Sequence, residues 1–94
     1  MGGWVYIITN KKFGVLYIGV TSDLPRRIYE HRNGLCDGFT KRYKLTMLVW
    51  YAHYDEIYDA IQCEKTMKHW VRAWKINKIE QMNPGWNDLY EALV

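Results

Sequence analysis

The chain has 94 residues, of which 49% are hydrophobic and 24% charged; this balance excludes intrinsic disorder and favours one globular domain over residues 1–94. Its formal net charge of +3 permits a nucleic-acid partner without identifying one. No apolar run reaches the roughly 20 residues of a membrane-spanning helix and no signal peptide opens the chain, so we expect a cytoplasmic protein without membrane contact.

Two runs of aromatic and β-branched residues, over residues 4–9 and 15–20, predict the first two strands. If a two-residue loop at Lys11 and Lys12 joins them, Tyr6 pairs with Tyr17 across a hairpin. A bulge at Gly14 would shift this pairing by one residue. We expect the two phenols to lie on one face of the sheet.

A helix is predicted to follow the second strand and to end near Arg32. Asp23 belongs to a Thr-Ser-Asp cluster that is typical of a helix start, and Pro25 falls in the first turn, where its missing N–H is tolerated. Arg27 and His31 are four residues apart, so they are neighbours along one edge of this helix.

The second half of the chain predicts a loop over residues 33–43, a strand over 45–54 and a helix that begins near residue 56. Residues 72–82 either continue this helix or form a short third one, and a final turn covers residues 87–93. The apolar face of the second helix is predicted to comprise Ile57, Ala60, Ile61, Met67, Val71 and Trp74.

Glu64 interrupts this apolar face. An ionised carboxylate in such a position must be paired with a cation, bound to a metal ion or placed at a solvated rim.

The order of elements indicates a small α/β (α+β) domain in which the first two strands are antiparallel, the third lies alongside and helices flank the sheet. Cys36 and Cys63 have no metal-ligand spacing, so we expect free thiols rather than a disulfide or a zinc site.

Basic residues cluster in two places, and each cluster either binds phosphate or forms a solvated surface. The first comprises Lys41, Arg42 and Lys44, beside Tyr43, which could stack on a base. The second comprises Lys65, Lys68, Arg72, Lys75 and Lys78.

Five polar residues together match the needs of phosphodiester hydrolysis: Tyr6, Tyr17, Arg27, His31 and Glu64. One carboxylate can hold Mg²⁺, which completes its coordination with water and a substrate oxygen. An arginine neutralises phosphate charge. Histidine, with an ordinary pKa of about 6.5, suits the role of base better than tyrosine at about 10.

These residues occur in a pattern that resembles the GIY-YIG nuclease family. The resemblance consists of Val5-Tyr6-Ile7, Tyr17-Ile18-Gly19, Arg27, His31, Glu64 and the closing Pro84-Gly85-Trp86-Asn87, and it covers nearly the whole chain. The chain is most similar to the small stand-alone bacterial members (UPF0213-like), which are related to the N-terminal incision domain of the UvrABC excinuclease and to Slx-type nucleases.

The resemblance implies a three-stranded antiparallel sheet flanked by helices and a metal-dependent endonuclease that needs no small-molecule cofactor. It implies Glu64 as the ligand of Mg²⁺ or Mn²⁺, and Arg27 as the phosphate clamp. Tyr6 and Tyr17 would border the attacking water, one of them as base or orienting group, and His31 would act as the base or assist it. Asn87 would be a supporting contact. The implied substrate is DNA, including branched or damaged DNA in repair or recombination.

The chain departs from the family pattern at two positions. Trp4-Val5-Tyr6 replaces Gly-Ile-Tyr but keeps the tyrosine, whereas Val20 stands where excinuclease-type members place a lysine. In those members the lysine helps to tune a tyrosine or to hold phosphate, so its replacement favours His31 as the base. It also keeps open a second hypothesis, a catalytically weak or inactive nucleic-acid-binding module with the same fold. A scaffold that binds only protein is a third alternative.

Overall fold

The computed structural model describes residues 1–36 and 38–93, which form a three-stranded antiparallel sheet packed against helices. Strand β1 lies in the middle of the sheet, between β2 and β3. In chain order the elements are β1 (Gly3–Thr9), β2 (Leu16–Thr21), α1 (Leu24–Arg32), α2 (Phe39–Arg42), β3 (Met47–Tyr54), α3 (Ile57–Lys68), α4 (Arg72–Met82) and a 3₁₀ helix (Leu89–Leu93). The predicted fold class is confirmed. Residues 37 and 94 of the predicted domain lie outside the described residues.

Within the described ranges, no helix has both the length and the apolar character needed to cross a bilayer.

The connection between β1 and β2 is longer than the predicted two-residue loop. It covers residues 10–15 and contains a turn in which the Gly14 N–H donates to the Lys11 carbonyl oxygen at 2.8 Å. Tyr6 is therefore opposite Gly19, and the predicted pairing with Tyr17 is wrong by two residues. Because side chains alternate along a strand, an offset of two keeps both tyrosines on one face, as predicted.

The central strand is buried on both faces, because each face of the sheet has its own apolar cluster. The cluster shared with α3 and α4 comprises Val5, Ile7, Ile18, Val49, Trp50, Ala60, Met67, Ile79 and Trp86. The cluster shared with α1 comprises Tyr6, Ile8, Leu24, Ile28, Leu45 and Leu48. Burying one such aliphatic side chain stabilises the fold by about 1.5–3 kcal/mol, so these clusters fix the helices against the sheet.

Helix α1 begins where the sequence predicts. The Asp23 carboxylate accepts a hydrogen bond from the Arg26 N–H at 3.2 Å, which satisfies one of the unpaired donors of the first turn. The helix buries Leu24, Ile28 and His31. The apolar face of α1 thus carries a histidine into the protein interior near the helix end.

The predicted loop over residues 33–43 contains the short helix α2, which the sequence pattern did not indicate; residue 37 of this loop lies outside the described residues. Gly38 precedes α2 with φ 89°, and the helix has no side-chain cap. One turn is too short to show a helical period in the sequence, so its position depends on tertiary contacts, such as the stacking of Phe39 on Tyr17 of β2, rather than on local preference.

The helix after β3 ends at Lys68, and residues 72–82 form the separate helix α4, one of the two predicted alternatives. Val71 is extended (φ −64°, ψ 154°), so the spacing of three and four is broken there. Val71 and Trp74 are 57% and 60% exposed, and their predicted place on the buried face is wrong. Ala60 and Met67 are buried as predicted.

After α4 the chain returns to the sheet through Asn83, which is buried. Its side-chain amide donates to the carbonyl oxygens of Val49 (3.1 Å) and Asn87 (2.8 Å), and its side-chain oxygen accepts from the Asn87 N–H. Asp88 then accepts from the Leu48 N–H at 3.2 Å. These bonds attach the C-terminal segment to β3.

Candidate active site

Tyr6 lies on the sheet face that packs against α1, directly opposite Gly19. A side-chain carbon at position 19 would overlap the hydroxyl and the adjacent ring carbon of Tyr6. The phenol therefore crosses over the backbone of β2, and only glycine leaves room for it. The physical role of Gly19 is to let the Tyr6 hydroxyl reach α1.

The Tyr6 hydroxyl lies 3.0 Å from Nε2 of His31, in a buried hydrogen bond. His31 is 6% exposed, and its Nδ1 has no hydrogen-bond partner among the described residues. Burial, and next the Arg27 guanidinium, lower the pKa of His31 below its ordinary 6.5. The imidazole is therefore neutral at pH 7, with Nε2 held by Tyr6 and Nδ1 buried without a partner among the described residues.

Burial raises the pKa of the Tyr6 hydroxyl, and the neighbouring Tyr17 hydroxyl raises it further, while Arg27 acts in the opposite direction. Tyr6 is therefore a neutral phenol at physiological pH. It can donate or accept a hydrogen bond with His31, but it does not supply a phenolate base.

A cavity of about 250 Å³ lies beside this buried pair. The residues that line it are Tyr17, Arg27, His31, Cys36, Phe39 and Thr40. The Tyr17 ring centroid lies 6.1 Å from that of His31 and 6.4 Å from that of Phe39, on which it stacks. Nε of Arg27 lies 3.3 Å from a carboxylate oxygen of Glu30. The cavity thus brings together three of the five predicted residues, with Tyr6 directly behind His31.

Glu64 lies on α3 and is not among the residues that line this cavity. Its side chain is 13% exposed, and Oε2 lies 3.0 Å from Nζ of Lys68. The same Nζ lies 5.8 Å from the centroid of the Tyr17 ring. Lys68 is therefore near both the carboxylate and the tyrosine ring. Glu64 is paired with a cation, which was one of the three predicted alternatives.

The donor set at Glu64 fits a magnesium ion held jointly by protein and substrate. Among the described residues, no group of three or more His, Cys, Asp or Glu side chains could hold a metal ion. Mg²⁺ is often bound by only one or two carboxylates, with water and substrate phosphate as its other ligands. A single half-buried carboxylate, whose partner Lys68 is close to the Tyr17 wall of the cavity, is consistent with that mode.

Two further depressions extend the cavity along α1. One, of about 310 Å³, shares His31 and Thr40 with it and is lined also by Arg32, Gly34, Lys41, Lys44 and Thr46. The other, of about 370 Å³, shares Arg27 and is lined also by Thr21, Ser22, Asp23, Arg26 and Glu30. Two of the predicted phosphate-binding residues, Lys41 and Lys44, are thus adjacent to the cavity, whereas the Arg42 guanidinium stacks over Tyr43.

Asn87 and Val20 lie away from the cavity walls. Asn87 is exposed in the segment between α4 and the 3₁₀ helix, and its backbone is bonded to Asn83. Val20 packs against the apolar cluster on the α3 side of the sheet. An ammonium nonetheless lies near Tyr17, since Lys68 supplies one from α3.

The sequence predicted Lys68 only as part of a basic cluster, and Phe39 and Thr40 only as part of a loop. Lys68 had a recognisable signal, because it follows Glu64 by four residues on a helix, a spacing that favours an ion pair. Phe39 and Thr40 lie on α2, which was predicted as loop, so no periodicity could place them at the cavity.

Comparison with known proteins agrees with this geometry. Residues 2–77 match the family model of the GIY-YIG catalytic domain. The UPF0213 protein SSP2268 of Staphylococcus saprophyticus is 31% identical over 78 residues, which cover 83% of this chain and 94% of that protein. The solution NMR structure of the UPF0213 protein BH0048 from Bacillus halodurans superposes with a TM-score of 0.60 at 27% identity, covering 94% of this chain and 93% of that one.

The matched region includes both strands of the hairpin, helix α1 and helix α3, which carry all five residues of the predicted constellation. The domain that it matches is a nuclease domain, whose family acts on DNA and generally uses divalent metal ions. The chain belongs to the GIY-YIG family.

Proposed function

We propose that this protein is a cytoplasmic endonuclease that hydrolyses phosphodiester bonds in DNA with Mg²⁺ or Mn²⁺. The observation that carries the proposal is the state of His31: a neutral imidazole held through Nε2 by Tyr6, with Nδ1 unpartnered within the described part of the chain. It lines a cavity together with the Arg27 guanidinium. A base and a cation for phosphate are two requirements of this hydrolysis.

We assign the role of general base to His31. Of its two neutral tautomers, the one in which Nε2–H donates to the Tyr6 oxygen leaves a lone pair on Nδ1. When substrate binding opens the buried Nδ1 to the cavity, that lone pair accepts a proton from the attacking water while the water oxygen bonds to phosphorus and the strand's P–O bond breaks. The leaving oxygen takes a proton from solvent. Tyr6 is then a positioning residue, which fixes the tautomer and the ring orientation of His31.

Arg27 and Tyr17 contact the substrate directly in this mechanism. The Arg27 guanidinium donates to the non-bridging phosphate oxygens and offsets the charge that accumulates there. The Tyr17 hydroxyl, on the cavity wall beside His31, orients the attacking water. Glu64 would hold the divalent cation, whose positive charge, when bound, stabilises the developing negative charge on the phosphate.

The substrate strand follows the depressions along α1, past the lysines beside His31. Contacts of arginine and lysine with phosphate carry no sequence information directly. Selectivity therefore comes from the shape of the DNA, and branched or damaged DNA from repair or recombination is the proposed substrate class.

The direct test is cleavage of a labelled panel that contains duplex, single strand, flap, splayed arm and four-way junction, with Mg²⁺ or Mn²⁺. We expect products from wild type, and none from Glu64→Gln or Arg27→Ala. Glu91→Gln is a matched control, because it neutralises an exposed carboxylate of the 3₁₀ helix that lines none of the three depressions. Unchanged cleavage by a folded Glu64→Gln protein would contradict the proposal.

The second candidate is a nucleic-acid-binding module that cuts weakly or not at all. The ion pair of Lys68 with Glu64, together with valine at position 20, favours it, because both reduce the positive charge that the site can present to phosphate. It predicts salt-sensitive DNA binding that is independent of metal and yields no product with any member of the panel.

A further inference from the structure

We propose that Lys68 couples metal binding at Glu64 to nucleic-acid binding: its ammonium occupies the carboxylate until a substrate phosphate draws it away. This inference rests on the proposed nuclease function and goes beyond it by naming the residue that controls how the metal site is loaded.

The first step is competition for one carboxylate oxygen. Nζ of Lys68 lies 3.0 Å from Oε2 of Glu64, within the range of a charge-assisted hydrogen bond. A magnesium ion coordinated by the same oxygen would lie about 2.1 Å from it. Two cations so close together repel each other, and the low exposure of Glu64 limits the screening of that repulsion by water. The ion and the ammonium therefore compete for Oε2 of Glu64.

The second step is a destination for the displaced ammonium. Lys68 is about half exposed, and its Nζ already lies 5.8 Å from the Tyr17 ring, which forms a wall of the cavity. Lysine has a flexible four-carbon stem and binds phosphate as a point charge. A phosphate in the cavity can thus attract the ammonium of Lys68 while it leaves Glu64 unpaired.

These two steps link the ligands thermodynamically. DNA that draws Lys68 away raises the affinity of Glu64 for the cation, and by reciprocity the cation raises the affinity for DNA by the same factor. The free enzyme then holds metal weakly, and the complete site forms on the substrate.

The test measures the Mn²⁺ dissociation constant by electron paramagnetic resonance in wild type, Lys68→Met and Lys65→Met. Lys65 is an exposed lysine on the same helix, so its variant controls for the loss of one positive charge. We expect Lys68→Met to bind Mn²⁺ about two- to fivefold more tightly than wild type in the absence of DNA, the range set by removing one competing ion pair. Lys65→Met should match wild type.

The same titration is repeated with a phosphorothioate oligonucleotide that resists cleavage. DNA should raise the Mn²⁺ affinity of wild type and of Lys68→Met. The increase in Lys68→Met should be about two- to fivefold smaller than in wild type, because that variant has no ammonium to displace. Equal affinities for wild type and Lys68→Met without DNA, or equal changes in both lysine variants, would overturn the inference. Glu64→Gln distinguishes failure of the Lys68 inference from failure of the proposed nuclease function. If this variant binds Mn²⁺ as wild type does, Glu64 is not the metal ligand, and the proposed function fails as well.

Discussion

At the scale of single residues, the proposed chemistry depends on the pair formed by Tyr6 and His31. Burial raises the pKa of the phenol and lowers that of the imidazole, so both groups are neutral at pH 7. The phenol is thereby excluded as the base, and the imidazole is ready to accept a proton. Of the three alternatives that the sequence left open for the base, these shifts disfavour Tyr6, and the proposed mechanism assigns the role to His31.

This assignment predicts the pH dependence of cleavage. The base must be unprotonated and its pKa lies below 6.5, so kcat/KM should be constant well above the pKa of His31 and should fall about tenfold per pH unit below it. Initial rates at fixed Mg²⁺ over pH 5–8 provide the measurement. An acid limb centred at or above pH 7 would exclude His31, with its lowered pKa, as the base.

The same lowered pKa predicts a pH dependence of stability. Between the folded-state pKa and 6.5 the unfolded chain binds more protons at His31, so the free energy of unfolding is complete above pH 6.5 and decreases as the pH falls below it. The decrease attributable to this residue is at most about 1.4 kcal/mol per pH unit. Urea unfolding of wild type and His31→Asn at pH 7.5 and 5.5 measures the difference, and a wild-type decrease no larger than that of the variant would refute it.

The sequence indicated which residues form the candidate site, but it did not indicate which hydrogen bonds and ion pairs they make with one another. Spacing along the chain indicated that Arg27 and His31 share a helix edge, since four residues make one turn. Nothing in the spacing indicated that the Tyr6 hydroxyl would meet Nε2 of His31, because that contact depends on how α1 packs across the sheet. The pairing of Glu64 was foreseen only as one alternative of three.

At the scale of elements, the hairpin of β1 and β2 aligns Tyr6 with Gly19, and this register predicts the effect of a methyl group. Gly19→Ala would place a carbon on the phenol of Tyr6, so we expect a loss of about 1–3 kcal/mol from overpacking and displacement of the hydroxyl from His31. Thermal or urea unfolding and cleavage assays measure the two effects. In a Tyr6→Ala background the substitution should cost little, because the ring is gone; an equal cost in both backgrounds would place the strain elsewhere.

Most helices and strands were predictable because they carry a strong local signal. The first two strands are rich in aromatic and β-branched residues, and Asp23 caps the start of α1. The register of the hairpin was not predictable, since a connection of six residues places it two positions from the pairing of a two-residue loop. Helix α2 was missed for a related reason. A single turn has too few residues for a periodic signal, and tertiary contacts decide its conformation.

At the scale of the whole molecule, the three depressions share lining residues of α1 and carry basic side chains, and the proposed function places DNA along them. If Lys44 contacts a phosphate there, Lys44→Gln should lower the slope of log K against log salt for duplex binding by about 0.9, the value for one neutralised phosphate. Fluorescence anisotropy at 50–200 mM salt provides the measurement.

Lys65→Gln serves as the matched control for this path. Lys65 is also exposed and carries the same charge, but it lies on α3 and lines none of the three depressions. A long-range effect of net charge would change both slopes alike, whereas a contact along α1 changes only that of Lys44→Gln. Equal slopes in the two variants would place the DNA on a different surface. The phosphate would then not lie between Arg27 and His31, where the proposed mechanism positions it.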